Sequence, residues 1–179
     1  LSEKEKVDFD KSSLLEVLEK NYYFELERRN HIDRKINMPI GIITVLVGSL
    51  HYFFQEWKGF SSNSLLLYTY LTILLGLGIS IAISIYFHIR AYWGHQYMRM
   101  ASPSQLYQHY EYTCDYFRND PHKVSEESID FILEQYRKSA EHNVKVNDFR
   151  LTYYHKGMAS IIISIGIGLL LIFLYAYSL

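Results

Sequence analysis

The side chains in this sequence best suited to chemistry are three arginine–histidine pairs that share one spacing. They are Arg90 and His95 in RAYWGH, Arg137 and His142 in RKSAEH, and Arg150 and His155 in RLTYYH. Eight arginines and eight histidines in a chain of 179 residues would produce such a spacing by chance on the order of 0.4 times, so three exceed the background. The chemistry such a pair could do is RNA cleavage. A histidine can shuttle the proton of a 2′-hydroxyl, while an arginine stabilises the negative charge that develops at phosphorus. Residues five apart on a helix point about 140° away from each other. A composite site therefore needs a bent segment or a facing pair from a second copy. The alternative for Arg90/His95 and Arg150/His155 is an interfacial role at helix ends. For Arg137/His142 it is a solvated helix surface.

Other chemistries find little support. The single cysteine, Cys114, excludes an internal disulfide framework and suits a reduced, cytoplasm-facing location. No Cys/His spacing resembles a zinc site, so neither a metal nor a cofactor is expected. A net charge of −1 argues against a broad nucleic-acid surface and leaves room only for weak or local RNA binding.

The elements that must position these pairs are helices, and three are long and apolar enough to cross a membrane. The segment 65–89, LLLYTYLTILLGLGISIAISIYFHI, carries no formal charge before Arg90 and spans roughly 37 Å as a helix. The segment 157–178, GMASIIISIGIGLLLIFLYAYS, is also without charge. The segment 38–57 is shorter and contains His51, with Trp57 as an interfacial anchor; a buried core helix is its alternative reading. Aromatic residues mark two boundaries. Tyr86, Phe87, Tyr92, Trp93, Tyr153 and Tyr154 fall at one, and Tyr52, Trp57, Tyr68, Tyr70, Tyr175 and Tyr177 at the other.

Charge then sets orientation. Arg28, Arg29, Arg34 and Lys35 flank the first span, whereas the loop 58–64 has only Lys58. The positive-inside rule places residues 1–37 in the cytoplasm, 58–64 outside, 90–156 back in the cytoplasm and the carboxyl terminus outside. The polar opening LSEKEKVDFDKSS does not read as a basic-then-apolar leader.

The remaining sequence predicts a cytoplasmic helical bundle, with no strand pattern or internal repeat. Residues 1–37 hold an amphipathic helix with a capping box at Ser13–Glu16 and an apolar stripe of Leu14, Leu15, Leu18, Tyr22 and Leu26. It either packs on its own protein or touches anionic lipid through Arg28, Arg29, Arg34 and Lys35. Pro39 can end it or open the first span. Ser102 and Pro103 start a second helix, which Asn119-Asp120-Pro121 breaks. Another begins near Ser125 and buries Ile129, Ile132, Leu133 and Tyr136, making a hairpin. A further helix from about Asn143 continues through Arg150 and His155 into the last span. Rows of small residues, Gly76, Ser80 and Ser84 on the second span and Ser160, Ser164 and Gly168 on the third, let helices approach closely, within one subunit or between subunits.

The order of these features resembles the small membrane accessory proteins encoded beside type VI-B CRISPR RNA-guided ribonucleases. NYYFELERRNHIDRKINMPIGIITVLVGSL, the second span, the helical insert and RLTYYH before the last span carry the resemblance. It implies a divergent HEPN-like Arg-x4-His motif at Arg150 and His155, with Arg90 and His95 as the weaker match. Active HEPN ribonucleases commonly have a polar residue directly after the arginine. Leu151 and Ala91 stand there in this chain, which weighs against nuclease activity. The first span and its flank also resemble small two-span membrane effectors of bacterial antiphage operons. Both resemblances imply immunity at the inner membrane, by permeabilising or depolarising it, with a functional link to an RNA-guided ribonuclease. The expectation is a homo-oligomer larger than a tetramer. A membrane-tethered ribonuclease and a non-catalytic anchor for a cytoplasmic partner are the alternatives.

Overall fold

The structure, a computed structural model, describes residues 11–56, 64–118 and 120–178. The expected Trp57 anchor, residues 58–63 of the expected external loop, Lys58 among them, and Asn119 lie outside the described residues. Among the described residues there are four helices: α1 (Lys11–Gln55), α2 (Ser64–Tyr92), α3 (Pro103–Phe117) and α4 (Pro121–Ser178). Three of them, α1, α2 and α4, are long and apolar enough to cross a membrane. The chain is an all-α membrane protein with no strand among the described residues.

Several helix boundaries differ from the sequence expectation, each for a local reason. α1 is already formed at Lys11, so Ser13 lies inside it and Glu16 pairs with Lys20 at 2.6 Å instead of capping. α1 also runs unbroken through Pro39, whose ring is buried. α4 starts at Pro121, not near Ser125, because Asp120 accepts the Lys123 backbone N–H at 3.3 Å and Pro121 fits the first turn. That N–H also holds the Asp120 carboxyl below its ordinary value. No break follows at Asn143, since residues 122–156 contain neither proline nor glycine. The helices expected from near Ser125 and from about Asn143 are thus one. Residues 93–102, before the helix that Ser102 and Pro103 start, are not helical. Gly94 takes φ +86° there, a left-handed conformation that costs a side chain energy.

The chain divides into two compact units. One comprises residues 1–30 and 96–147. In it the start of α1 packs on its own protein: Lys11 reaches Glu126 and Asp130 at 3.0 and 2.8 Å, and Tyr22 lies edge-on to Tyr136 at 5.7 Å. The break before α4 turns α3 and α4 into the expected hairpin, with His109 of α3 stacked on Phe131 of α4 at 3.8 Å. Leu133 is buried, and Ile129, Ile132 and Tyr136 are partly so.

The other unit, residues 31–95 and 148–179, holds the apolar spans. Its core joins Leu46 and Phe53 of α1, Tyr70, Leu74, Leu77 and Ile81 of α2, and Ile161 and Leu171 of α4. The buried positions recur at spacings of three, four and seven: Ile32, Ile36, Pro39, Leu46 and Phe53 on α1, and Arg150, Gly157, Ser164 and Leu171 on α4. Such a repeat gives each helix one narrow seam, as in coiled coils. At one end Tyr70 donates to the Phe53 carbonyl at 2.6 Å, and Tyr175 donates to Glu56 at 3.3 Å. At the other, Ile32, Ile36 and Ala91 pack with Tyr153 and Tyr154. α2 therefore runs antiparallel to α1 and α4. Only 22% of the most apolar window of α1 and of α2, and 28% of that of α4, is buried. The remaining apolar surface must be covered by lipid or by other chains.

Candidate functional site at the Arg150 end of the spans

Arg150 is the most constrained of the sequence-predicted residues. It is 3% exposed, its Nε donates to the Ala91 carbonyl at 2.9 Å and its Nη2 pairs with Asp33. One guanidinium thus ties α4 to the last turn of α2 and to α1. The Ala91 carbonyl belongs to the end of α2, where backbone acceptors have no partner in their own helix. Burying the cation is tolerable because both its charge and its N–H fork are answered.

His155, five residues further along α4, is exposed, with its ring edge-on to Tyr154 at 5.5 Å. The helix points the two members of the pair to different faces, so no acid–base couple is assembled from Arg150 and His155. Arg90 and His95 do lie together, but through a backbone atom. His95 Nε2 is 2.9 Å from the Arg90 carbonyl, where the ring N–H caps the end of α2. The Arg90 guanidinium lies over Phe149 and Tyr153, each at 5.6 Å. Arg137 is held on the surface by Glu134 at 2.7 Å and Glu141 at 3.5 Å, while His142 Nε2 lies 2.9 Å from the Gln96 carbonyl.

The serines of both small-residue rows are used within one chain. Ser80 donates to the Ser160 carbonyl at 3.2 Å and accepts from Ser164 at 2.8 Å, and Ser84 donates to the Gly157 carbonyl at 3.3 Å. Gly76 and Gly168 are different: a Cβ at either would meet nothing within 4 Å. These two glycines are not the close-approach points of the helix pair. The four basic residues before the first span also separate. Arg28 pairs with buried Glu25 at 3.4 Å and Arg29 lies over the Tyr97 ring at 4.7 Å, whereas Arg34 and Lys35 are exposed.

Two features escaped sequence reasoning. The first is His88, 7% exposed inside the second span. Its Nδ1 is 2.8 Å from the Ser84 carbonyl and so carries the proton, leaving Nε2 as a buried acceptor without a hydrogen-bond partner among the described residues. A signal existed in Gly157, the one small residue on α4 that lets the ring in.

The second is a polar face on α4 within the other unit, at Ser139, His142, Asn143 and Asn147. Asn143 grips the Met98 backbone with both amide atoms, at 2.9 and 3.1 Å, and Ser139 donates to the Arg99 carbonyl at 3.4 Å. Asn147 accepts from Tyr97 and donates to the Glu25 carbonyl at 2.9 Å and carboxylate at 2.8 Å. These side chains replace the partners that the extended segment lacks. Among the described residues no group of three His, Cys, Asp or Glu could hold a metal ion.

No protein-family model matches the chain, and no curated protein or solved structure is significantly similar to it.

Proposed function

We propose that this chain is a homo-oligomeric effector that perturbs the inner membrane in RNA-targeting antiphage defence, with its amino terminus in the cytoplasm. The observation that carries this reading is the division of labour in the span-bearing unit. Its buried polar groups, Arg150, Ser80, Ser84 and Ser164, bond helix to helix, Arg150 also through half-exposed Asp33, while the outer faces of all three spans stay apolar and largely uncovered. Such a unit is equipped to assemble with copies of itself in lipid. It offers no prepared acid–base pair for RNA.

The test combines three measurements on purified full-length protein. Native mass in mild detergent should exceed that of a tetramer, reconstituted vesicles should leak ions, and labelled RNA should stay intact. A monomer in detergent and nanodiscs alike, in non-leaking vesicles, overturns the proposal. Metal-independent RNA cleavage lost in His155→Gln promotes the ribonuclease. A non-catalytic anchor is the second reading. It draws on the tyrosines of α3, since Tyr107, Tyr110, Tyr112 and Tyr116 are 50–69% exposed and tyrosine is enriched in protein interfaces.

A further inference from the structure

We propose that Arg90 and Lys156 form a binding site for the phosphate of an anionic phospholipid, built on a row of aromatic rings between α2 and α4. The row runs Phe87, Tyr153, Phe149, His95, with successive ring centroids 5.9, 4.5 and 5.3 Å apart. Lys156 Nζ lies 5.4 Å from the centre of Tyr153 and 6.0 Å from that of Phe87. The Arg90 guanidinium lies 5.6 Å from the centres of both Tyr153 and Phe149. Two full positive charges are therefore held against the same tyrosine ring.

Cation–π attraction to the ring faces orients both side chains. Neither cation has a carboxylate within ion-pairing distance among the described residues, and both side chains are exposed. Two exposed cations so placed suit an anion. A phosphodiester supplies one: arginine's planar fork takes two of its oxygens, and lysine adds a point charge.

Position identifies the source of that phosphate. Arg90 directly follows the charge-free segment 65–89, and Lys156 directly precedes the charge-free segment 157–178. Packing of α2 on α4 brings these two span ends together. A group seated there lies at headgroup depth, with exposed Tyr92 at the end of α2 and exposed Trp93 just after it. The acyl chains of the lipid then run along the apolar outer faces of the spans. RNA would have to bring its backbone to the edge of the hydrocarbon to reach the same place.

The test is lipid selectivity of the full chain in nanodiscs of phosphatidylcholine containing a minority of phosphatidylglycerol, read by native mass spectrometry of the lipids that stay bound. Wild type should enrich phosphatidylglycerol. Each of Arg90→Gln and Lys156→Gln should lower the enrichment about fivefold, as expected for one basic residue near an anionic surface. The exchange variant Arg90→Lys/Lys156→Arg keeps both charges and should keep most of the enrichment, which separates charge from folding. Unchanged enrichment in either Gln variant overturns the proposal, as does displacement of the lipid by inorganic phosphate or by a short RNA. Ion leak is scored separately, so failure of this site leaves the reading of the chain as a membrane effector standing, and the reverse holds.

Discussion

The imidazole of His88 occupies the place where a side chain on Gly157 would begin. A Cβ built on Gly157 would stand 2.4 Å from His88 Cε1 and 2.5 Å from Nδ1. The ring has little freedom to retreat, because Nδ1 is anchored on the Ser84 carbonyl and Tyr154 stands edge-on to it at 6.3 Å. Gly157→Ala should therefore destabilise the α2–α4 seam by about 1–3 kcal/mol, as overpacking does. The readout is the midpoint of thermal unfolding in detergent. His88→Ala made in the Gly157→Ala background should recover most of the loss, since it removes the obstacle. Full stability of Gly157→Ala alone would mean that the ring moves freely.

A second expectation concerns Arg150. Its Nε and Nη2 act in two directions, on the Ala91 carbonyl and on Asp33. Arg150→Ala removes one guanidinium's hydrogen bonds to a helix-end carbonyl and to a half-exposed carboxylate, at a cost of about 2–4 kcal/mol. Arg150→Lys should rescue poorly, because an ammonium cannot reproduce the fork. Asp33→Asn should be milder, since an amide oxygen still accepts. His155→Gln should leave stability near wild type, as the ring is exposed. Unfolding midpoints and oligomer mass for the four variants check this order. Equal effects of Arg150→Ala and His155→Gln on protection against phage, with wild-type stability in both, would instead indicate a shared chemical role.

The surface pair gives a contrasting pH prediction. Hydrogen bonds from Arg137, and then from Lys138, pull the Glu134 carboxyl down to about 2 from an ordinary 4.5. A carboxyl with a depressed folded-state value adds stability above its unfolded value and loses it as pH falls. The contribution of Glu134 should be complete above pH 4.5 and fade toward about 2. Because the group is exposed, salt should screen it and the total should be small. Glu134→Gln should flatten that part of the pH–stability curve and leave neutral pH nearly unchanged. Arg137→Ala should likewise leave membrane activity intact. A large loss at neutral pH would show that the pair does more than decorate the helix.

The parts of this architecture that could be read in advance are those set by one segment at a time. Lengths of charge-free apolar sequence define α2 and the end of α4, because backbone groups in hydrocarbon must be satisfied within their own helix. The break at Asp120-Pro121 was equally local. What could not be read depends on residues far apart. Arg150 finds Ala91 and Asp33 at separations of 59 and 117 residues, and nothing in RLTYYH distinguishes a buried guanidinium from an interfacial one. Nothing in the sequence sets Asn143 and Asn147 apart, since their partners, Met98, Tyr97 and Glu25, lie 45 to 122 residues away. Ser80, Ser84, Ser160 and Ser164 were legible as contact residues. Whether the contact lay within a chain or between chains was not, because small-residue rows serve both.

The last prediction concerns the side of the membrane on which each segment lies. α2 runs antiparallel to α1 and α4, so fixing one loop fixes every end. By the positive-inside rule, the basic excess around Arg28, Arg29, Arg34, Lys35, Arg90 and Lys156 predicts α3 in the cytoplasm and residue 62 outside. Cysteine labelling with a membrane-impermeant maleimide can decide this, but native Cys114 is a poor reporter because it is half-buried on α3. Its silence in intact cells could reflect packing as well as location. Ser104, on the same helix, is exposed. In a Cys114→Ser background, Ser104→Cys should label only after the inner membrane is opened, whereas Ser62→Cys should label once the reagent reaches the periplasmic face. The reverse pattern would invert the orientation, placing Arg90 and Lys156 at the outer leaflet. Labelling of both positions from outside would mean that the chain crosses the membrane an even number of times between them, leaving α2 as a buried helix rather than a span.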